Sequence, residues 1–211
     1  MGYAGKPDLW ADLFPDDLLP TILDLVLESW KVFQMPVPTE HEVPITKRFC
    51  DCLRQWKDRS RVPFTIWTES EELEPGSGEL LGRIDLRLLH GYREQVYFAF
   101  ECKRLNVVAN GKRSSLTGDY VKKGMMRFIT GQYAEGLDKG GMLGYVMDGK
   151  VGDAVGFVKK AVESWRTMLK MQQASTLTTC SIRPQNSGVR QTRHRQDKRP
   201  FLIYHLFLAV R

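Results

Sequence analysis

Hydrophobic and polar positions along the chain change period several times, and the changes divide it into elements. From residue 8 to 33 apolar side chains recur at helical spacing: Leu9, Trp10, Leu13 and Phe14, then Leu18, Leu19, Ile22, Leu25, Val26 and Trp30. Pro15 is expected to split this stretch into a short turn and a longer amphipathic helix, because an interior proline removes an amide donor. Residues 35–39, with Pro36 and Pro38, read as a linker. Ile45, Phe49, Leu53 and Trp56 predict a second helix over about 44–59, with Pro44 at its first position, where no amide hydrogen is needed. Residues 63–68 are a short β-prone run, followed by an acidic, glycine-rich turn over 69–79. Strands are predicted at 80–90 and 94–103; Gly91 turns between them, and their spacing makes an antiparallel hairpin. Residues 106–118 read as a polar loop, 119–138 as a helix carrying Tyr120, Met125, Phe128 and Tyr133, and 141–147 as a strand. A further helix is predicted over 151–173, where Val155, Val158, Val162, Trp165 and Leu169 fall near one face. Residues 181–199, with six Lys/Arg against one Asp, are expected to form a basic loop. Residues 201–210 are apolar throughout and predict a buried strand. The order α-α-β-β-β-α-β-α-β describes one mixed α/β domain over 1–211, with a helical N-terminal element at 1–38 and no internal repeat.

Composition narrows the class. The chain has 211 residues and 42% hydrophobic content, enough for a single core. Its net charge of +6 is unevenly spread: residues 1–42 hold eight Asp/Glu against two Lys/Arg, and the remainder seventeen against twenty-nine. A basic body suits a polyanionic partner, since each phosphate neutralised releases counterions. Cys50, Cys52, Cys102 and Cys180 form no CxxC pair, and with no signal peptide they read as reduced thiols of a cytoplasmic protein. No apolar run reaches the ~18 residues of a membrane span, so no membrane partner is expected. Gly76-Ser-Gly78-Glu-Leu-Leu-Gly82 has its last glycine one residue late for a dinucleotide fingerprint and precedes a strand, while Gly111-Lys112-Arg113 lacks the rest of a phosphate loop.

The candidate chemistry lies on the predicted hairpin. Its second strand, Val96-Tyr97-Phe98-Ala99-Phe100-Glu101-Cys102-Lys103, is apolar and aromatic and ends in an acid and an amine. Side chains alternate along a strand, so Glu101 and Lys103 share a face with Tyr97 and Ala99. Held beside an apolar interior, these charges are costly without a metal, a partner charge or a task. Asp85 stands on the preceding strand. Asp85 and Glu101 would supply carboxylate oxygens to Mg²⁺ (or Mn²⁺), and the main-chain carbonyl of Cys102 another; Lys103 would orient or deprotonate a water and balance phosphate charge. A bare Glu-x-Lys is common, and a similar triplet, Asp148-Gly-Lys150, falls in a predicted turn; context separates the two. The competing reading is a salt-bridged outer hairpin face. Glu40 and Glu42, at the start of the second helix, read from charge alone as complements to the helix dipole.

Gly82-Arg-Ile-Asp85, fifteen intervening residues and then Glu101-Cys-Lys103 at the end of an apolar strand resemble the PD-(D/E)xK nuclease superfamily, with Ile84 in place of the usual proline. The resemblance implies a restriction-endonuclease-like αβββαβ core over about 44–148, a mixed sheet flanked by helices, with an added N-terminal helix and an added C-terminal helix and strand. It implies a Mg²⁺-dependent endonuclease, a hydrolase of phosphodiester bonds in DNA, with Asp85 and Glu101 as ligands and Lys103 at the water. It also implies a metal-site glutamate on the first core helix, Glu42, with Glu40 as fallback. Gln132 and Tyr133 occupy the helix where some members carry Gln and Tyr, though not at the usual spacing. Lys112, Arg113, Arg190, Arg193, His194 and Arg195 are candidates for DNA phosphate contacts; a solvated loop is the rival reading of the last four. A prokaryotic defence (antiviral), restriction or mobile-element setting is the family-level expectation, with a homodimer or a partner protein supplying specificity. The alternative is a non-catalytic nucleic-acid-binding or assembly subunit on the same fold.

Overall fold

The computed structural model describes residues 14–73, 77–91, 96–132, 137–173, 175–196 and 199–211. The expected helical start at 8–13, Gly76, the strand positions 94–95 and Tyr133 lie outside them. A 3-10 turn (Asp16–Leu18) leads into α1 (Leu19–Val32), and α2 spans Glu42–Ser60. Three strands follow: β1 (Thr65–Leu73), β2 (Leu80–Leu89) and β3 (Tyr97–Leu105). A small hairpin, β4 (Val107–Ala109) and β5 (Lys112–Ser114), occupies the stretch expected to be loop. The helical segment α3 is composite, an α turn (Thr117–Asp119), a π segment (Tyr120–Met125) and an α turn (Met126–Ile129). Then come β6 (Lys139–Val146), α4 (Val151–Ser164), β7 (Thr178–Thr179), β8 (Val189–Gln196) and β9 (Arg199–Ala209).

The protein is a mixed α/β fold built on a seven-stranded sheet of order β1-β2-β3-β6-β9-β8-β7. β1–β2 and β2–β3 are antiparallel, β3–β6 and β6–β9 parallel, and β9–β8–β7 antiparallel again. Each face carries its own apolar cluster. Helices α1 and α2 cover one face, where Trp30, Phe49, Phe98, Phe100, Tyr145 and Leu206 meet. α3 and α4 cover the other, over Tyr97, Ala99, Tyr120, Phe128, Ile203 and Phe207. Period-2 alternation along β3 and β9 supplies both clusters at once, which is why these strands read as unbroken apolar runs. Gly141 makes room for that packing: a Cβ there would lie 2.3 Å from the Phe100 ring.

Several expectations are corrected. Residues 189–196 are not loop but β8, paired along its whole length with β9. This strand is polar because Thr192 and His194 are buried in a hydrogen-bonded chain while Arg193 and Arg195 stay at the surface, so apolar alternation never shows. The helix expected over 119–138 ends at Ile129, and α4 ends at Ser164 rather than near 173. The C-terminal addition is thus one helix and three strands. β1 also extends to Leu73 through residues expected to turn: as the outer strand of the sheet it can leave Glu71 in water, while Glu72 accepts from the Tyr97 hydroxyl.

Candidate active site

Side chains from three elements converge at the C-terminal end of β3. The β2–β3 ladder ends at Leu86↔Phe100, and beyond it β2 continues to follow β1. Glu69, which falls between the paired positions Thr68 and Ser70 of β1, has φ 51°, so the ladder is interrupted opposite Asp85. Thr68 Oγ1 compensates by donating to the Asp85 carbonyl at 2.9 Å. Where the two strands part, the Cys102 amide donates to Asp85 Oδ2 at 2.7 Å. The Cys102 carbonyl accepts from Lys103 Nζ, also at 2.7 Å. Main-chain groups that a continuing ladder would have used are taken by charged side chains instead.

Lys103 Nζ is the centre of the cluster. It lies 2.6 Å from Glu101 Oε1, 2.9 Å from Glu42 Oε1 and 3.9 Å from Asp85 Oδ2. Glu42 is the first residue of α2, and its second oxygen accepts from the Arg104 amide at 3.0 Å. Glu40 is occupied elsewhere, holding Arg48 at 2.8–3.1 Å, so of the two glutamates Glu42 is the one whose carboxylate reaches the cluster. Glu101 is fully buried and Lys103 nearly so. Burial, with the charge of Asp85 adding to it, pushes the Glu101 carboxyl up to about 7 in spite of Lys103 and Arg127. Burial raises Asp85 as well, against the pull of Lys103. For Lys103, burial favours the neutral amine, but Glu101, Glu42 and Asp85 outweigh it and hold the ammonium form. A cleft of about 380 Å³ opens onto Lys103, between His41 and Glu42 on one side and Lys123 and Arg127 on the other.

Three carboxylates and a carbonyl gathered on one cationic point are hard oxygen donors of the kind Mg²⁺ takes. In donor type and in convergence they fit a divalent cation. Among the described residues no three His, Cys, Asp or Glu groups enclose a metal position as the side chains stand, because the carboxylates are drawn onto Lys103.

The remaining candidates separate. His194, expected at a DNA phosphate, is instead fully buried, with Nδ1–H donating to the Leu169 carbonyl at 2.7 Å, and cannot touch one. The carbonyl anchor orients a whole chain: Thr192 Oγ1–H donates to His194 Nε2, His205 Nε2–H to Thr192, and Tyr120 Oη–H to His205 Nδ1, at 2.7–2.9 Å. Arg190 is level with Glu101 across the sheet through Met142 and His205, three strand spacings away, roughly 14 Å. Arg193 and Arg195 are exposed, on β8, while exposed Lys112 and Arg113 lie on the β4–β5 hairpin. Arg113 is paired with Asp148 and Asp153 and lies over Phe157. In the triplet Asp148-Gly-Lys150, Asp148 is a turn residue, accepting from Asn106 and from the Lys150 amide. Gln132 donates to the Leu81 carbonyl.

The sequence reading missed Arg127, whose Nη1 donates to both Glu101 oxygens at 3.0 Å. It also missed the π segment of α3 that precedes this arginine. One signal was present in the sequence: Gly124, within that segment, lets the helix sit close, since a Cβ there would meet Met142 Cε at 2.5 Å and Lys103 Cγ at 3.5 Å. No family model matches the sequence, and neither a curated protein nor a solved structure matches it. No helix among the described residues is long and apolar enough to cross a membrane.

Proposed function

We propose that the chain is a metal-dependent nuclease of PD-(D/E)xK type that hydrolyses phosphodiester bonds in DNA. One observation carries the reading: Glu42 of α2, Asp85 of β2, Glu101 of β3 and the Cys102 carbonyl all converge on the Lys103 ammonium, at 2.6–3.9 Å. Burying like charges around one lysine is unfavourable unless the arrangement serves a task. The element order α2-β1-β2-β3-α3-β6, with the β4–β5 hairpin inserted before α3, supports a restriction-endonuclease-like core, with α1 before it and α4, β7, β8 and β9 after it.

Glu42, Asp85, Glu101 and the Cys102 carbonyl would hold Mg²⁺, and Mn²⁺ in its place. Bound there, the ion would stabilise charge on the phosphate and acidify a water. Lys103, held as ammonium, donates rather than accepts, so its part is to orient the attacking water and offset phosphate charge. Glu101, whose carboxyl burial pushes up to about 7, would have to give up its proton to hold the ion. The buried main chain around Cys102 fixes Glu101 and Lys103 on a strand rather than a loop.

The test is incubation of plasmid and single-stranded DNA with Mg²⁺, Mn²⁺ or EDTA, comparing the protein with Lys103→Ala after both are shown to be folded by circular dichroism. Cleavage that needs the metal and is lost in the variant is expected. Equal cleavage by the variant, or none under any condition, would overturn catalysis and leave the nucleic-acid-binding or assembly role on the same fold.

A further inference from the structure

Arg127 joins the cleft to the buried acids. Its side chain is 32% exposed while that of Glu101 is 0% exposed, so the guanidinium reaches from the cleft wall onto a carboxylate sealed beneath it. Arg104 and Lys123 line the same cleft with Lys103. Lys123 is itself paired with Asp119 at 3.1 Å, and Arg104 Nη1 donates to the Glu40 carbonyl at 2.9 Å. The walls are therefore cationic, yet Lys103, Lys123 and Arg127 serve as counter-ions to acids and Arg104 is held by a carbonyl.

The charges decide what that arrangement does. Once ionised, Glu42, Asp85 and Glu101 face two cations in contact with them, Lys103 and Arg127, which leaves one negative charge in excess. A phosphate is repelled from that point. A divalent cation among the same oxygens makes the sum one positive charge, the complement of a single phosphodiester. Oxygens of Glu101 that bind such an ion give up to it much of the negative charge that now holds Arg127 at 3.0 Å, and the pull on the guanidinium weakens. A guanidinium matches a phosphate as well as a carboxylate, because its fixed fork of donors fits two oxygens of either.

We propose that Arg127 is a phosphate-binding residue held in reserve by Glu101: it stays on the carboxylate until that charge is taken up, and then turns to a DNA phosphate in the cleft. This rests on the nuclease reading of the same site. It makes metal occupancy and DNA binding cooperative through one side chain, so that the protein grips phosphate only when it is equipped to act on it.

Neutralising Glu101 by substitution mimics the metal's effect on Arg127 without any metal. The experiment is fluorescence anisotropy with a fluorescein-labelled DNA duplex in EDTA. It compares the protein with Glu101→Gln, Arg127→Ala and the double variant. Glu101→Gln is expected to bind about tenfold more tightly than the unmodified protein, the worth of one charge-assisted phosphate contact. In the Arg127→Ala background the same substitution is expected to gain no more than about twofold, the residue of a change in net charge. If Arg127→Ala does not fold, Arg127→Lys keeps the charge without the fork, and the gain is expected to drop to about threefold. A full gain without the arginine, or no gain with it, overturns the inference. Mg²⁺-dependent cleavage followed in parallel separates the two levels. Cleavage without an Arg127-dependent gain defeats the inference alone. No cleavage and no DNA binding by any variant defeats the nuclease reading, and the inference with it.

Discussion

Lys103→Met should alter the pH dependence of stability more than its value at neutral pH. Removing one partner of a buried ion pair ordinarily costs about 3–5 kcal/mol, because a bare charge is left behind. Here the full cost is not expected near pH 7, since Glu101 can take a proton instead of standing uncompensated. Its carboxyl lies at about 7 in the fold against an ordinary 4.5. Between those values the unfolded chain ionises this group and the folded protein does not. Stability therefore falls as pH rises, by about 1.4 kcal/mol per unit and roughly 3 kcal/mol in all, and levels off above 7. Lys103 is one of the groups holding the Glu101 carboxyl down. Without it the carboxyl moves higher still, and the decline continues past 7. Urea unfolding at a series of pH values should then show the unmodified protein level between about pH 7 and 8.5 while Lys103→Met loses up to about 2 kcal/mol more. Glu101→Gln in both backgrounds should flatten both curves. Parallel profiles above pH 7 would mean that Lys103 does not set the ionisation of Glu101.

Three further outcomes are expected. Glu42→Ala should abolish Mn²⁺ binding in isothermal calorimetry, whereas Glu40→Ala, which loses only the partly exposed pair with Arg48, should keep it and cost no more than about 1 kcal/mol in urea unfolding. Mn²⁺ affinity should fall as pH drops below about 7, by up to tenfold per unit, because the metal must then displace a proton from Glu101; calorimetry in buffers of different ionisation enthalpy would measure that proton. Burial lowers His194 to about 4 and His205 to about 3, against an ordinary 6.5. Below 6.5 the unfolded chain takes up protons that these folded rings refuse, so stability is lost on acidification, by about 1.4 kcal/mol per unit and per ring. His205→Gln should remove one ring's share of that slope in acid-range unfolding curves.

Much of the sheet was legible because its central strands carry two apolar faces. β3, β6 and β9 read directly as strands, and the β2–β3 hairpin follows from Gly91 and the spacing around it. Asp85, Glu101 and Lys103 were legible because strand alternation puts Glu101 and Lys103 on the face of Tyr97 and Ala99. What failed at β8 has one cause: buried polar side chains. Thr192 and His194 satisfy one another inside the fold, so the strand shows no hydrophobic alternation and reads as loop, and its histidine reads as exposed. The π segment is invisible for a different reason, since it widens a helix without altering the residue types that make one. That hid Arg127, whose place near Glu101 depends on how the helix lies over the sheet.

The local geometry explains why the acids gather where they do. A strand pair that ran on past Leu86↔Phe100 would have spent the Cys102 amide and carbonyl on β2, and the Asp85 side chain would have stood off a face of the sheet. The left-handed Glu69 interrupts the outer ladder opposite Asp85, and β2 leaves β3 there. Ile84 marks the bend: it packs into the cluster under α3 and α4, whereas Leu86 and Leu88 pack under α1 and α2. The gap that results exposes one amide, which Asp85 takes, and one carbonyl, which Lys103 takes. A non-glycine residue in the left-handed region costs about 1 kcal/mol or more and persists only where the surrounding contacts hold it. Glu69 therefore links the edge strand to the cluster. Glu69→Gly should relieve the backbone and leave Asp85 in place, whereas Thr68→Val should leave the Asp85 carbonyl without its donor and loosen the carboxylate. Mn²⁺ affinity is expected to be unchanged in the first variant and reduced several-fold in the second. Equal losses in both would mean that the bend is set elsewhere.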